Sequence, residues 1–490
     1  MALEYLYGAS CQGIQSYIFE TNTLKEIVGG SDLVERLCTT FFSNFLKDIG
    51  VDSGELISAA AGNIRYRFSE GDAQKVVRKF PLHASQFVPG LTISQAVVRI
   101  GDVSSGEAFN ELERNLHIQR NRPQRPFDIG FIATQRCRRT ARPAVPGGQD
   151  GMVDKALMAK RRARSMETLV TKLVPERVGS ARDIPLEMED MVDRQKSGWL
   201  AVIHADGNSV GQCIQESIRQ LENKDENIYT FLKDFSRDLD AATVAAAQRT
   251  FGLVILKDDY INNGKFPIRP VIIGGDDVTV ICRADLAVEF TQKYLIEFEK
   301  QTKTELGRLA EKYKIDAVAD GLTASAGIAF IKPKYPFHYA VSLAENLCGK
   351  AKLASKRVEN TKNPPSSLAF YKVRSTFLDS PDTMYLREAT VSGVSLEYGP
   401  YAVQNIPEMP SVDLLLSNLD LLKRDDAPDS SLRQWLSVLS RSRAQARQYL
   451  IRMKEIVPWY YEKLGLSKAI ENNSTPIGDW LSLLSLEKGE

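Results

Sequence analysis

Apolar positions along the chain fall into two similar series. In the first, Glu4–Ala9 forms a short apolar strand, and helical spacing follows through Ile14, Tyr17, Ile18 and Phe19 to Leu33, Val34 and Leu37. A strand–turn–strand unit spans residues 56–68, then come a helical stretch and a strand over Leu91–Ile100. The second series opens with a strand over 199–205 and helical spacing through Phe231, Leu232, Phe235 and Leu239. A hairpin over 269–282, a helix through Leu286, Phe290, Tyr294, Leu295 and Phe298, and a strand over Gly321–Ile331 complete it. Each series reads β-α-ββ-α-β, the ferredoxin-like split order, so the unit is repeated. From about residue 376 the period becomes helical, in Val412–Leu422 and Ser431–Ile456. The pattern predicts an α+β protein with two tandem ferredoxin-like domains and a helical C-terminal domain. The expected divisions are 1–113, a connector over 114–190, 191–378, and 379–490.

Length agrees with this count, since 490 residues at roughly 150 per domain make about three domains. Hydrophobic residues at 43% and charged residues at 26% are the composition of a globular protein. No apolar run approaches the roughly 18 residues of a membrane span, and the N-terminus lacks a signal-peptide pattern. Cys11, Cys38, Cys137, Cys213, Cys282 and Cys348 lie far apart without a Cys-x-x-Cys pair. They are expected to be reduced and mostly buried, which places the chain in the cytoplasm.

The chemistry is concentrated in the second series. Residues 271–282 read Val-Ile-Ile-Gly-Gly-Asp-Asp-Val-Thr-Val-Ile-Cys, two β-prone runs around Gly-Gly-Asp-Asp. Gly274 and Gly275 permit a tight turn and a close ligand approach. Asp276 and Asp277 then repel each other unless a cation sits between them. An ordinary Asp-rich turn is the alternative for this motif alone. The strand 199–205, however, delivers Asp206, followed by Gly207, Asn208, Ser209, Val210 and Gly211. A strand end that supplies a carboxylate and then turns into a helix offers a metal ligand and phosphate-binding N–H groups together. Asp206, Asp276 and Asp277 form the carboxylate set of a polymerase or cyclase palm, with Mg²⁺ or Mn²⁺ as the expected ion.

In the first series, Ala60-Ala61-Gly62-Asn63 aligns with Gly274-Gly275-Asp276-Asp277, and Ser10 stands at the place of Asp206. That copy is therefore expected to be degenerate. Net charge is only +1, but residues 114–164 hold thirteen Lys or Arg against three Asp. This basic connector is expected either to track a nucleic-acid backbone, with Phe127 and Phe131 as stacking platforms, or to be a solvated linker.

Gly13-Ile14-Gln15-Ser16-Tyr17-Ile18-Phe19, Thr21, Leu24-Lys25-Glu26 and Gly29-Gly30-Ser31-Asp32-Leu33-Val34 make a first block. Asp206-Gly207-Asn208 with Gly211 makes a second, and Gly274-Gly275-Asp276-Asp277 a third. A fourth is Thr323-Ala324-Ser325-Ala326-Gly327-Ile328-Ala329, with Lys334-Tyr335-Pro336-Phe337-His338, Ala344-Glu345 and Ala351-Lys352. In this order, over about residues 5–375, the blocks resemble the large polymerase-like, double-palm subunit of type III CRISPR effector complexes.

The resemblance implies two palms that join ATP into cyclic oligoadenylate. Asp206, Asp276 and Asp277 would hold two metals. Gly207, Asn208, Ser209, Gly274, Gly275 and Ser325 would line the nucleotide site, and Lys350 and Lys352 would reach the triphosphate. Implied partners are ATP, RNA and other CRISPR effector subunits, and no membrane. Two departures matter. The first palm opens at the start of the chain with no His-Asp pair among His83, His117, His204 and His338, so the nuclease domain of relatives is not expected. Cys137-Arg138-Arg139-Thr140 keeps one cysteine of a zinc element and loses the other, so zinc is not expected either. His204 is read as a packed strand residue. Two other functions remain open: a diguanylate-cyclase-like enzyme, disfavoured because Asp277-Val278 replaces Glu-Phe, and a non-catalytic scaffold.

Overall fold

The fold is described from a computed structural model. It describes residues 4–487 except 61, 102–103, 123–132, 148–150, 164–166, 176–177, 180–182, 186, 193–197, 223–226, 257–263, 360–362, 375–389 and 471–472. Phe127 and Phe131 of the connector lie outside the described residues.

The first palm comprises β1 (Tyr5–Gln12), α1 (Ile14–Ile18), α2 (Leu24–Arg36), α3 (Phe42–Asp48), β2 (Glu55–Ala60), β3 (Asn63–Phe68), α4 (Glu70–Phe87) and β4 (Thr92–Arg99). Its four strands lie in the order β2-β3-β1-β4, all antiparallel. α5 (Ser105–Arg120) follows, opened by a capping box in which Ser104 and Glu107 satisfy each other's backbone N–H. α5 crosses the expected boundary at residue 113. Its Leu112 and Leu116 are buried and join the core, so it packs as part of the first palm. Within the basic stretch, β5 (Ala144–Pro146), β6 (Met152–Asp154), α6 (Lys155–Arg162) and α7 (Glu167–Leu173) are ordered elements. Lys160 is fully buried, ion-paired with Glu20 at 3.5 Å, and Arg139 and Arg161 pair with the buried Glu26. Part of the basic surplus is thus spent on holding the connector to the first palm.

The second palm comprises β7 (Leu200–Gly207), α8 (Val210–Glu222), α9 (Ile228–Thr250), β8 (Ile268–Gly274), β9 (Asp277–Arg283), α10 (Ala287–Tyr313) and β10 (Ala324–Ile331). α11 (Phe337–Ser355) and β11 (Ser367–Lys372) extend it. The sheet order is β11-β10-β7-β9-β8, with a two-residue strand at Tyr401–Ala402 pairing beyond β11. The sheet therefore reaches past the expected boundary at 378, because a short C-terminal strand supplies its far edge.

β7 opens with a continuous apolar run, Leu200–Ile203, because the strand is covered on both faces. Ala201, Ile203 and Ala205 enter the core shared with α9 and α10, while Leu200 and Val202 enter the core shared with α11 and the first palm. Each fully buried Leu, Ile or Val of this set stabilises by about 1.5–3 kcal/mol. A slip of one residue would exchange the two faces and drive Asp206 into the α9 side, so burial fixes where that carboxylate points. The last region holds helices at Val412–Leu422, Asp429–Leu439, Arg443–Ile456, Pro458–Lys463 and Ile477–Glu487, packed around Trp435. It also carries a small hairpin over 390–395, which the helical expectation for 379–490 did not include.

Candidate functional site

The acidic hairpin ends β8 at Gly274 and begins β9 at Asp277, which pair with each other, leaving Gly275 and Asp276 as a two-residue turn. Gly275 takes φ 60°, the positive value that the first position of a type II′ turn requires. Gly274 stays in the strand, so only one of the two glycines serves the turn. β7 runs beside β9 with Ala205 opposite Val278, which brings Asp206 alongside Asp277. A Cβ on Gly207 would stand 2.9 Å from Asp276 Cβ, so the bare glycine is what lets the turn close over the strand end. Ligand oxygens of Asp206, Asp276 and Asp277 all lie within 4.8 Å of one another. Among the described residues this is the one group of three acidic, histidine or cysteine side chains so placed.

Of the three half-buried acids, Asp276 and Asp277 hold a proton more tightly than an ordinary carboxylate. Burial, then the Asp206 charge, pushes Asp276 up to about 6. Burial, then Asp276 and Asp206, pushes Asp277 well above the usual carboxylate range. Beneath them the buried Tyr294 hydroxyl has no hydrogen-bond partner, and burial and the three negative charges push it up as well. Lys352 supplies positive charge. It donates to the Asp206 carboxylate and, at 2.8 Å, to the Gly207 carbonyl. An all-oxygen donor set, mutually repelling and already met by one ammonium, fits a hard divalent cation.

The other expected site residues fall into three places. Asn208 follows the strand and donates to Thr323 Oγ1 at 3.0 Å, while Ser325 donates to Asn208 Oδ1 at 3.0 Å. Ser325 is fully buried opposite Asp206, so it braces the loop from beneath instead of facing open space. Ser209 has φ 59°, the left-handed conformation, at the entry to α8, where successive N–H groups converge. Lys350 is carried away from the acids and pairs with Glu397 at 3.1 Å. It stands two residues from Lys352 on α11, and such positions do not share a helix face. His204 lies on the Asp206 face of β7, 3.0 Å from Thr279 Oγ1, and burial holds its pKa below the usual value.

A cleft of about 370 Å³ separates the palms. Gly274 and Asp277 line one wall, and Ser10, Asn63 and Arg120 line the other. The two walls are equivalent strand ends. Ser10 pairs with Asn63 across β1 and β3 as Asp206 stands beside Asp277 across β7 and β9. In place of carboxylates the first palm has Ser10 donating to Asn63 Oδ1 at 2.8 Å, and Arg120 Nη2 donating to Ser10 Oγ at 2.9 Å. The sequence placed Arg120 in a generic basic stretch. Only the folding of α5 onto β1 brings its guanidinium to the strand end.

The fold and the site define a class: a double-palm protein in which one palm carries the acid cluster and the other, with Ser10 and Asn63 at the equivalent strand ends, faces it across a cleft. Residues 199–361 match the family model described as Cas10/Cmr2, second palm domain. The second palm is thus similar to the second palm domain of Cas10/Cmr2. The whole length of the chain shares a fold with solved structures at low identity. A Csm1-Csm4 cassette in complex with one ATP matches at 15% identity and TM-score 0.56, over 100% of this chain and 70% of that chain. A Csm1-Csm4 cassette in complex with cA4 matches at 14% identity and TM-score 0.54, over 98% of this chain and 69% of that chain. Csm1 in T.onnurineus matches at 15% identity and TM-score 0.51, over 100% and 70%. No curated protein matches the chain. Among the described residues no helix is long and apolar enough to cross a membrane.

Proposed function

We propose that this chain is a metal-dependent nucleotidyltransferase that joins ATP into cyclic oligoadenylate second messengers in antiviral defence. The observation that carries the reading is the Asp206–Asp276–Asp277 cluster, set in a palm similar to that of Cas10/Cmr2, with Asp277 on the wall of the cleft between the palms. These three carboxylates would hold two Mg²⁺ or Mn²⁺ ions. Bound there, the ions would make a hydroxyl a better nucleophile and stabilise charge on the phosphate oxygens.

The chain's own groups supply the rest. Lys352 offsets part of the negative charge that the acids and a triphosphate would bring together. The entry to α8 at Gly207, Asn208 and Ser209 offers backbone N–H groups to phosphate. Arg120, on the opposite wall, supplies a cation for the second nucleotide. With two ATP molecules face to face, the 3′-hydroxyl of one would meet the α-phosphate of the other. The O3′–P bond would form as the hydroxyl proton passes to solvent, and the Pα–O bond to the leaving pyrophosphate would break. The Csm1 relatives include cassettes with ATP, with pppApApA and with cA4, which supports an adenylate product. Those cassettes pair Csm1 with Csm4, which supports a chain that works with other CRISPR effector subunits.

The test is mass spectrometry of products made from each NTP in turn with Mg²⁺ or Mn²⁺. An adenylate product supports the proposal. A product from GTP alone would move the chain to the diguanylate-cyclase type.

A further inference from the structure

β8 carries the acidic hairpin, yet it is the edge strand of its sheet. Its outward carbonyls would meet water or another strand unless something covers them. They are covered by side chains from three separate elements, at alternate residues. Ser31 of α2 donates to the Val271 carbonyl. Lys172 of α7 donates to the Ile273 carbonyl at 2.9 Å. Thr243 of α9 donates to the Gly275 carbonyl at 2.5 Å. Val271 and Ile273 are alternate residues of the strand edge, where every second carbonyl points outward, and Gly275 follows in the turn.

Lys172 joins these supports. Its ammonium sits 3.1 Å from Glu35 Oε1 on α2 and 3.6 Å from Asp240 Oδ1 on α9. That same Asp240 oxygen accepts the Gly275 N–H at 3.2 Å. Lys172, Glu35 and Asp240 are 16%, 20% and 33% exposed, so the group is shielded enough to hold a geometry and not a solvated surface pair. The Val271 carbonyl is thereby tied to the first palm and the Ile273 carbonyl to the connector, while α9 of the second palm holds the Gly275 carbonyl and N–H and meets Lys172 through Asp240. None of the supporting side chains is itself an acid of the metal-type cluster, and none belongs to a strand of the second palm.

We propose that Lys172 is a positioning residue: with Glu35 it clamps the free edge of β8 and so fixes Asp276 and Asp277 relative to Asp206. The first palm, which lacks the acid cluster, then has a second task besides walling the cleft, because it supplies a neighbour for the edge strand. This rests on the reading of the three acids as metal ligands only where metal affinity is the readout.

The test compares Lys172→Met, Lys172→Arg and Glu35→Gln with the wild type. Amide hydrogen exchange of the segment 271–279 is followed by mass spectrometry, and Mn²⁺ binding by the spectrum of the free ion. Lys172→Met is expected to speed exchange at the hairpin about tenfold and to weaken Mn²⁺ binding about tenfold, the low end for groups that orient ligands. Glu35→Gln should move both in the same direction by less. Lys172→Arg, which keeps a donor, should restore most of both. The melting temperature guards against general unfolding, and Glu35→Gln stands in if Lys172→Met does not fold. Unchanged hairpin exchange in Lys172→Met, or in Glu35→Gln in its stead, overturns the clamp. A wild type that does not bind Mn²⁺ overturns the metal reading instead, while exchange at the hairpin still decides the clamp.

Discussion

Lys352 and Asp206 form a direct ion pair across the face between α11 and β7, and the same ammonium binds the Gly207 carbonyl at 2.8 Å. One lysine therefore reads both the first acid of the cluster and the turn after it. Its removal should separate metal binding from turnover. Lys352→Met leaves the three carboxylates with less positive charge nearby, so Mn²⁺ affinity should hold or rise. Product formation should fall by about a hundredfold, the scale of losing one electrostatic stabiliser. Titration of Mn²⁺ beside a product assay checks this, and a parallel loss of both would show that Lys352 merely props the site.

Arg120 should act on nucleotide and not on metal. It stands on the wall opposite the acid cluster, bound to Ser10. Arg120→Ala is expected to raise KM for ATP about tenfold, the worth of one charge-assisted hydrogen bond. Mn²⁺ affinity should stay where it was. A lower Mn²⁺ affinity with an unchanged KM would contradict the two-wall arrangement.

Gly207 tests the closeness of turn and strand. A methyl there would stand 2.6 Å from Val210 Cγ2 and 2.9 Å from Asp276 Cβ. Gly207→Ala should push the hairpin off the strand end and weaken Mn²⁺ binding at least about tenfold. The fold should survive, because the crowding is local. Calorimetry with Mn²⁺ and a melting curve distinguish this from plain misfolding.

Far from the acids, Asp479 sets a stability prediction. It is buried and accepts hydrogen bonds from the Tyr401 hydroxyl at 2.6 Å and the Tyr398 N–H at 3.0 Å. Burial is the main cause that pushes it up to about 7, and the nearby Glu397, itself pushed up to about 7 by burial and facing Lys350 and Arg374, adds to it. The folded state thus holds a proton that the unfolded chain releases near 4. Stability from this group is full below pH 4 and declines as pH rises from about 4 to 7. Asp479→Asn cannot ionise, so its melting temperature should gain on the wild type by a few degrees between pH 5 and pH 8. A constant difference across that range would show that Asp479 is charged in the folded protein throughout.

Most of this fold was legible in the sequence, for a physical reason. Strands such as β7 and β9 are covered on both faces, so their apolar runs stand out without an alignment. The Ser10 and Asn63 correspondence was also legible, because two hairpins of equal geometry put equivalent positions in equal register. Boundaries were less legible. α5 carries many charges, and only its Leu112 and Leu116 reveal the face that docks. The lysines of α11 look alike in sequence, and the helical turn alone sends Lys352 to the acids and Lys350 to Glu397. Lys172 carried no signal, since its partners Glu35, Asp240 and Ile273 are brought to it by the docking of three elements.

The most direct measurement of the central claim is mass spectrometry of ATP incubated with Mn²⁺ and the wild-type chain, beside the Asp276→Ala/Asp277→Ala variant, with and without added RNA. The account predicts cyclic or linear adenylates with release of pyrophosphate from the wild type and none from the variant, although both fold alike. Equal product from both would remove the acids from the chemistry. No product from the wild type under any condition would make the chain a scaffold.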